Sequence, residues 1–455
     1  MGMEILDRQR AFFATGQTRP YVFRRDALLR LRRSITAHLP ALYEAMHHDL
    51  HKSEEETYLT EIAIALREID NQLRHLKRRM RATCVFTPLF LWPSRSRTIC
   101  EPYGNVLIIS PWNYPAQLTL SPLAGAIAAG NCAVVKTSPY APQVSAVLGR
   151  IIASAFSPNH VTLIEGNREV NEALLAERWD YIFFTGSPTL GRIVMRAAAE
   201  HLTPLTLELG GKSPCLVDNS ANIDLAARRI VWGKFLNAGQ TCVAPDYLLV
   251  HQNVKGPLVD RIRHWIGAFY GPDPKESPHF GRMVNESAYR RVASYLTDGP
   301  LLTGGETDPA QRYIAPTLLD LGTPTDSVPV MQAEIFGPIL PVMEYIHIDQ
   351  AIEFVNRHEK PLALYYFGAP RTGREVLRRT SSGGACINDT ILHIANDHLP
   401  FGGVGRSGMG RYHGKASFET FSNRRSVLIS PRNNDLPFKY PPYKYFKLIQ
   451  KLLHL

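Results

Sequence analysis

From residue 105 onward, short apolar runs alternate with longer segments whose apolar positions recur every three or four residues. NVLIIS, CAVVKTS, VTLIEG, YIFFTG and LTLELGG carry the strand pattern, and QLTLSPLAGAIAAG, APQVSAVLGRIIASAF, NREVNEALLAER and PTLGRIVMRAAAEH lie between them as helices. Such alternation predicts a parallel, doubly wound sheet whose ligands bind at the carboxyl ends of its strands. A second alternating series runs from CLVD near 215 to GACIND near 388, so two α/β domains are expected. Ahead of both, residues 53–82 open on Ser53 and Glu56 in capping-box spacing. Leu59, Ile62, Leu66, Ile69, Leu73, Leu76 and Met80 then give one long helix a single apolar stripe, suited to lying on a domain surface. Residues 84–104 break the first series with Pro, Ser and Arg and read as an excursion from it.

Residues 102–135 carry no charge, but Pro111, Asn113, Pro115, Gln117 and Pro122 interrupt them. Buried strands and a core helix are therefore predicted there, not a membrane span. In the tail 441–455, Lys444, Lys447 and Lys451 fall on one helical face, with Phe446, Leu448, Ile449, Leu452, Leu453 and Leu455 elsewhere. That pattern is too short to cross a bilayer. It suits a cap on a substrate funnel or a partner subunit, or a weak peripheral contact with an anionic membrane. With 455 residues, 45% hydrophobic and 20% charged, the chain has ample core for two or three domains. Its six cysteines, at 84, 100, 132, 215, 242 and 386, include no C-x-x-C pair, so neither a disulfide framework nor a metal site is expected. The opening MGMEILDRQR lacks the apolar stretch of a secretory signal, and a reduced, cytoplasmic protein is the expectation. The net charge of +10 is spread along the chain with no nucleic-acid motif beside it, which reads as solvated surface.

Three glycine-rich stretches compete for a phosphate. GVGRSG, 403–408, has the G-x-G-x-x-G spacing, but no strand leads into it and no acidic residue follows at the ribose-binding distance. ELGGKS, 208–213, ends like a Walker A loop, yet Thr206 stands where the leading glycine belongs. FFTGSPTLGR, 183–192, is the better candidate, since a strand runs directly into a helix with Gly186, Ser187 and Gly191 at the turn. A helix N-terminus there offers free N–H groups and a positive dipole end to a pyrophosphate. Lys136, closing the strand CAVVK, is placed to reach a ribose or a phosphate.

Seven motifs, PWNYP (111–115), VVKTSP (134–139), FFTGS (183–187), LELGGKSP (207–214), NAGQTC (237–242), EIFGP (334–338) and PFGGVGRSGMGRYHG (400–414), occur in one order. Together they resemble the NAD(P)-dependent aldehyde dehydrogenases over roughly residues 5–445, and the chain endings look like the class 3 branch. The resemblance implies that Cys242 is the nucleophile, that Asn113 and the Cys242 N–H hold the oxyanion, and that Glu208 is the general base. It further implies that Glu334 grips the nicotinamide ribose, that Phe336 and Trp112 lie beside the ring, and that Lys136, Gly186, Ser187 and Gly191 serve the adenosine and pyrophosphate side. The chemistry agrees with those residue types. A carbonyl carbon yields hydride only from a tetrahedral adduct, and a thiolate makes one. The other five cysteines read as inert core or surface thiols.

One departure bears on the cofactor. Relatives that prefer NAD commonly carry a glutamate three residues after the lysine, whereas Pro139 stands there, so NADP is expected to serve at least as well as NAD. The fold class implied is α/β, with a five-stranded Rossmann-like cofactor domain (1–83 and 105–207) and an α/β catalytic domain (208–394). A bridging and oligomerisation arm (84–104 and 395–434) and an amphipathic tail (435–455) complete it. A homodimer oxidising medium- to long-chain aliphatic or aromatic aldehydes is implied. Two other readings stay open: a CoA-acylating dehydrogenase, against which Glu208 argues, and a non-catalytic protein on the same scaffold, against which Cys242, Asn113 and Glu208 together argue.

Overall fold

The computed structural model describes residues 2–435 and 439–453. A helical layer comes first, with helices Tyr21–Ala37 and Leu39–Leu50 followed by one continuous helical run from Glu54 to Arg79. Ser53 Oγ caps that run by accepting from the Glu56 N–H at 3.1 Å, as the sequence predicts. The reciprocal half of the box is absent, because the Glu56 carboxylate instead accepts from the Asn237 N–H at 2.9 Å. Residues Tyr58–Ile62 form a π-turn inside the run, in which the Ala63 N–H bonds back to the Tyr58 carbonyl. From Ile62 on the apolar stripe packs as expected, with Ile62, Ile69 and Leu76 fully buried. Leu59, ahead of the register change, is 67% exposed, which corrects its place in the stripe.

Strands β1 (Thr83–Val85) and β2 (Arg95–Pro102) then leave the body as a hairpin. The first sheet follows with β3 (Asn105–Ile109), β4 (Cys132–Lys136), β5 (Val161–Ile164), β6 (Tyr181–Thr185) and β7 (Leu205–Glu208), all parallel. Between β3 and β4 the helix Gln117–Ala129 is buried along its whole length, so the uncharged stretch is core. The strand order 7-6-3-4-5 reverses direction at β3, which makes the carboxyl ends of β3 and β6 the switch point.

The second sheet contains β8 (Pro214–Val217), β9 (Tyr247–His251) and β10 (Leu301–Thr303). A small hairpin of β11 (Thr307–Asp308) and β12 (Tyr313–Ile314) intervenes. The sheet is completed by β13 (Thr317–Gly322), β14 (Ile339–Tyr345), β15 (Ala363–Phe367) and β16 (Gly384–Ile387). Its order is 10-13-14-9-8-15-16, and only β10 runs antiparallel. Finally β17 (Gly408–Met409) adds a short antiparallel edge to β7, and β18 (Ser422–Ile429) pairs with β2 along eight register positions.

The expected arm therefore divides. Phe401, Tyr412, Phe418 and Phe421 are buried in the main core, so residues 401–421 belong to the body and only β18 belongs to the arm. Among the described residues no helix is long and apolar enough to cross a membrane. The tail contains a helix, Phe446–Leu453, and Tyr443, Tyr445, Phe446 and Leu448 expose half or more of their surface. None of those four lines the cavity or the apolar channel at Cys242, so these four side chains do not cap this subunit's own funnel. Leu455 lies outside the described residues.

Candidate active site

The switch point gathers the motifs. Immediately beyond β3, Trp112 and Asn113 face Gly186 and Ser187, which follow β6, across a cavity of about 280 Å3. Glu208, Cys242, Glu334 and Phe336 complete its wall. A second, largely apolar channel of about 300 Å3 opens on the other side and is lined by Leu59, Tyr114, Trp232, Ile391, Phe401 and Tyr412 among others. Cys242 lines both. The structure thus brings Cys242, Glu208, Asn113, Trp112, Gly186, Ser187, Glu334 and Phe336 together.

Two expected cofactor residues stand apart from that cavity. Gly191 lies one turn into the helix Pro188–Glu200, and a methyl group there would meet the Leu209 side chain at 2.8 Å. Its smallness serves helix–strand packing. Lys136 is almost fully buried at the end of β4, and its Nζ donates to the Thr137 carbonyl at 2.6 Å. Burial lowers its pKa to about 8, opposed by the charge of Glu165. Ser187 is occupied as the N-cap of its helix, accepting from the Leu190 N–H at 3.4 Å. That leaves the helix N-terminus, Thr185, whose buried hydroxyl has no partner among the described residues, and Glu334 as groups able to meet a dinucleotide. The cleft, its helix terminus and this polar set fit NAD or NADP.

The loop bearing Cys242 is held in an unusual backbone. Asn237, Ala238 and Gly239 have φ of 53°, 51° and 75°, three successive left-handed residues. Any side chain at Gly239 would collide with the Gly337 carbonyl, so this turn also locks the EIFGP loop. Asn113 ties in from the other side, its Nδ2 donating to the Gln240 carbonyl at 3.0 Å while its own carbonyl accepts from Asn237 Nδ2 at 2.8 Å. Tyr114 Oη and Thr241 Oγ1 lie 2.6 Å apart, a further link between the loops. Trp112 and Phe336 meet edge-on at 5.5 Å, and Phe336 has φ of 51°. Lys212 of the GGKS turn donates to Asp246 at 2.6 Å and to the carbonyls of Val330 and Ala333, so it braces the EIFGP loop and does not await a phosphate. The glycines of GVGRSG are likewise steric, since Gly408 pairs with Glu208 and a methyl group on it would strike β7.

Burial governs the site's protons. It pushes the Cys242 thiol well above its ordinary range, and the nearby Glu334 and Glu208 carboxylates push the same way. Burial also holds Glu208 well above the carboxylate range, with Arg411 opposing, and neither Glu208 oxygen has a partner among the described residues. Glu334 is pushed up to about 8 by burial, assisted by Asp246 and opposed by the Gly211 N–H it accepts.

Sequence reasoning missed the buried charges behind Asn113. Lys52 and Glu61 form a 2.6 Å ion pair with both side chains fully inaccessible, and Lys52 also donates to the Asn113 carbonyl at 2.9 Å. The signal was present as KSEEETYLTEI, where three acids follow a lysine at the start of an apolar stripe, but charged residues at a helix start read as solvated.

Residues 5–427 match the family model described as the aldehyde dehydrogenase family. The 4,4'-diaponeurosporen-aldehyde dehydrogenase of Staphylococcus aureus is 47% identical over 445 residues, covering 97% of this chain and 96% of that protein. The dimeric, NADP-preferring aldehyde dehydrogenase of Canis lupus familiaris is 43% identical, covering 96% and 97%. A solved structure of Staphylococcus aureus AldH in its substrate-bound state superposes with a TM-score of 0.97 at 45% identity, covering 100% of this chain and 99% of that one. Motifs, switch-point cleft and these likenesses agree: the chain belongs to the aldehyde dehydrogenase family, enzymes that oxidise aldehydes with NAD or NADP.

Proposed function

We propose that this enzyme oxidises medium- to long-chain aliphatic or aromatic aldehydes to carboxylic acids through a thioester on Cys242. The carrying observation is that Cys242 lies where an apolar channel meets the switch-point cavity. An apolar aldehyde entering by the channel presents its carbonyl to Sγ while the other side of the thiol faces the cofactor cleft. The thiol first gives up its proton to solvent water entering the cleft, and Sγ then forms a bond to the carbonyl carbon as the C=O π pair moves to oxygen. The resulting oxyanion is met by the second N–H of Asn113 Nδ2 and by the Cys242 N–H. NAD(P), held at the N-terminus of the helix Pro188–Glu200 and by Glu334, would supply the acceptor for the hydride that this carbon must lose for its carbonyl to re-form as a thioester on Cys242. Glu208 takes a proton from water, the hydroxide adds to the thioester, and the C–S bond breaks to release acid and thiolate. The unpartnered Glu208 oxygens favour this hydrolytic role over a structural ion pair, and over transfer of the acyl group to CoA.

The test is steady-state formation of NADH or NADPH from propanal to hexadecanal and benzaldehyde, without CoA, in wild type and Cys242→Ala. Turnover that rises with chain length and vanishes in the variant supports the reading; turnover only with added CoA sinks it in favour of the acylating enzyme.

We also read the protein as a homodimer of a reducing, cytoplasmic compartment. Phe86 and Leu89, each 87% exposed, and Trp92, 66% exposed, crowd the arm and call for cover. The exposed lysines and aromatics of 441–451 suit a weak contact with an anionic membrane surface. Flotation with phosphatidylserine liposomes, with and without 441–455, tests that contact, and equal flotation removes it.

A further inference from the structure

We infer that the buried Lys52–Glu61 pair, together with Glu56, is a positioning device that fixes both oxyanion donors of the reaction from one helix. This inference rests on the assignment of Asn113 and Cys242 made above. Its starting point is where the contacts of these three charges land. Lys52 Nζ donates to Glu61 Oε1 at 2.6 Å and to the Asn113 carbonyl at 2.9 Å, and it sits 4.0 Å from the Tyr114 ring centroid. Glu61 Oε2 accepts from the N–H groups of Ala116 at 2.8 Å and Gln117 at 3.3 Å. The helix Gln117–Ala129 has no side-chain cap of its own, so Glu61 acts as its cap from a distant element. One ion pair therefore holds the short segment 113–117 at its start, through a carbonyl, and at its end, through two N–H groups.

Glu56 does the same for the opposite loop. Its carboxylate accepts from the N–H of Asn237, the first of the three left-handed residues that lead into Cys242. Asn237 Nδ2 in turn donates to the Asn113 carbonyl that Lys52 also holds. The contacts run Glu56, Asn237, Asn113, Lys52, Glu61 and are joined at their ends by the helical run that carries both glutamates, so the side-chain donor and the backbone donor are pinned against each other.

The π-turn explains how one helix reaches both. In an uninterrupted α-helix, residues five apart point about 140° away from each other. A π-turn bonds residues five apart, so Glu56 and Glu61 are brought to one face around Tyr58–Ile62. A buried ion pair is costly to desolvate and a poor way to add stability, since apolar residues of the same volume serve as well. A pair whose every hydrogen bond ends on the loops of one chemical site is better accounted for by geometry, because a donor misplaced by a fraction of an ångström loses much of its effect on the transition state.

A kinetic cycle decides the matter. Asn113→Ala, the charge-free pair variant Lys52→Met/Glu61→Gln, and the triple variant are compared with wild type in kcat/KM for one aldehyde, with KM for NAD(P) and thermal melting read alongside. The pair variant is expected to lose about 10- to 100-fold in kcat/KM, a share of what a lost oxyanion donor costs, with KM for NAD(P) unchanged and iodoacetamide alkylation of Cys242 at the wild-type rate. In the Asn113→Ala background the same pair substitution is expected to change kcat/KM less than about threefold, since it acts through the donor already removed. Losses that multiply in the triple variant, or an unaffected pair variant, overturn the inference. Wild-type turnover by Asn113→Ala instead overturns the site assignment beneath it. Should the pair variant fail to melt cooperatively, the isosteric Glu61→Gln takes its place in the same cycle, with a loss of about three- to tenfold that disappears without Asn113.

Discussion

Glu208 ends β7 with two carboxylate oxygens that no donor meets among the described residues, and its neighbours at the site are the Cys242 thiol and the Glu334 carboxyl, both pushed up by burial. A group so placed is free to take a proton from water but contributes nothing to the first half-reaction. Glu208→Gln is therefore expected to give one rapid burst of NAD(P)H per site, followed by turnover slowed about 10²- to 10³-fold. Intact-mass spectrometry should then find the acyl group on Cys242; a lost burst would place Glu208 in the first step instead. The raised carboxyls also set the stability profile. Glu334 moves from 4.5 to about 8 and Glu56 from 4.5 to about 7 on folding, both chiefly by burial. At these two groups the folded state thus binds more protons than the unfolded state between those values. Between about 4.5 and 6.5 their effect is opposed by His51, His160 and His393, lowered from 6.5 to about 4 by burial, so a fall in stability is expected only as pH rises from about 6.5 to 8. Melting curves from pH 6.5 to 8 should show that decline, and Glu334→Gln, which is neutral at every pH, should make it shallower; an unchanged slope would mean Glu334 is ionised in the resting enzyme.

Elements were legible wherever one rule governed a segment. All five parallel strands of the first sheet are readable because each is a short apolar run, charged at most at its last residue, bounded by turn residues, and the strand-to-helix turn at Gly186 follows from the same pattern. Roles that depend on chemistry, at Cys242, Glu208 and Asn113, were carried by motifs and not by periodicity. The helix 54–79 was read too simply. Its π-turn shifts the register by one residue, which sends Leu59 to the channel mouth and turns Glu61 into the core, and nothing in a hydrophobic pattern announces a charge that finds its counter-ion at Lys52. Gly191 packs closely on Leu209, a steric reason for a glycine that the strand-to-helix pattern alone offers to a phosphate. At the end of β4 the absent feature is informative. Pro139 is exposed beside the buried Lys136, and no acidic side chain occupies that turn. Pro139→Glu restores a carboxylate there, and by like-charge repulsion against a 2′-phosphate it is expected to lower kcat/KM for NADP about tenfold relative to NAD. A ratio that stays put would locate cofactor choice elsewhere, with Glu165, whose charge reaches Lys136, the next group to change.

At the scale of the molecule, the C-terminal region does two jobs that sequence alone merged into one. Residues 401–421 return to the first sheet, where Phe401 and Tyr412 close the wall between channel and cleft, and β18 then runs out to pair with β2. The body's own catalytic wall is thus covalently continuous with the arm. Phe86 and Leu89 project from that arm almost fully exposed, and Leu428 and Ile429 at the end of β18 expose nearly half their surface. An apolar face of this kind on a soluble chain is stable when a second copy covers it. Phe86→Ser/Leu89→Ser should convert a dimer to a monomer by light scattering at micromolar concentration, because two large side chains that bury about 2 kcal/mol each are removed twice over in a two-fold interface. Deleting 441–455 should leave the mass unchanged, since the contact is assigned to the arm and not to the tail. If turnover falls with dissociation while the melting temperature holds, the arm also steadies the wall formed by Phe401 and Tyr412; if light scattering gives the wild-type value for the variant, the exposed face of the arm is not a subunit interface, and the proposed homodimer needs another surface, such as the sheet edge at β16.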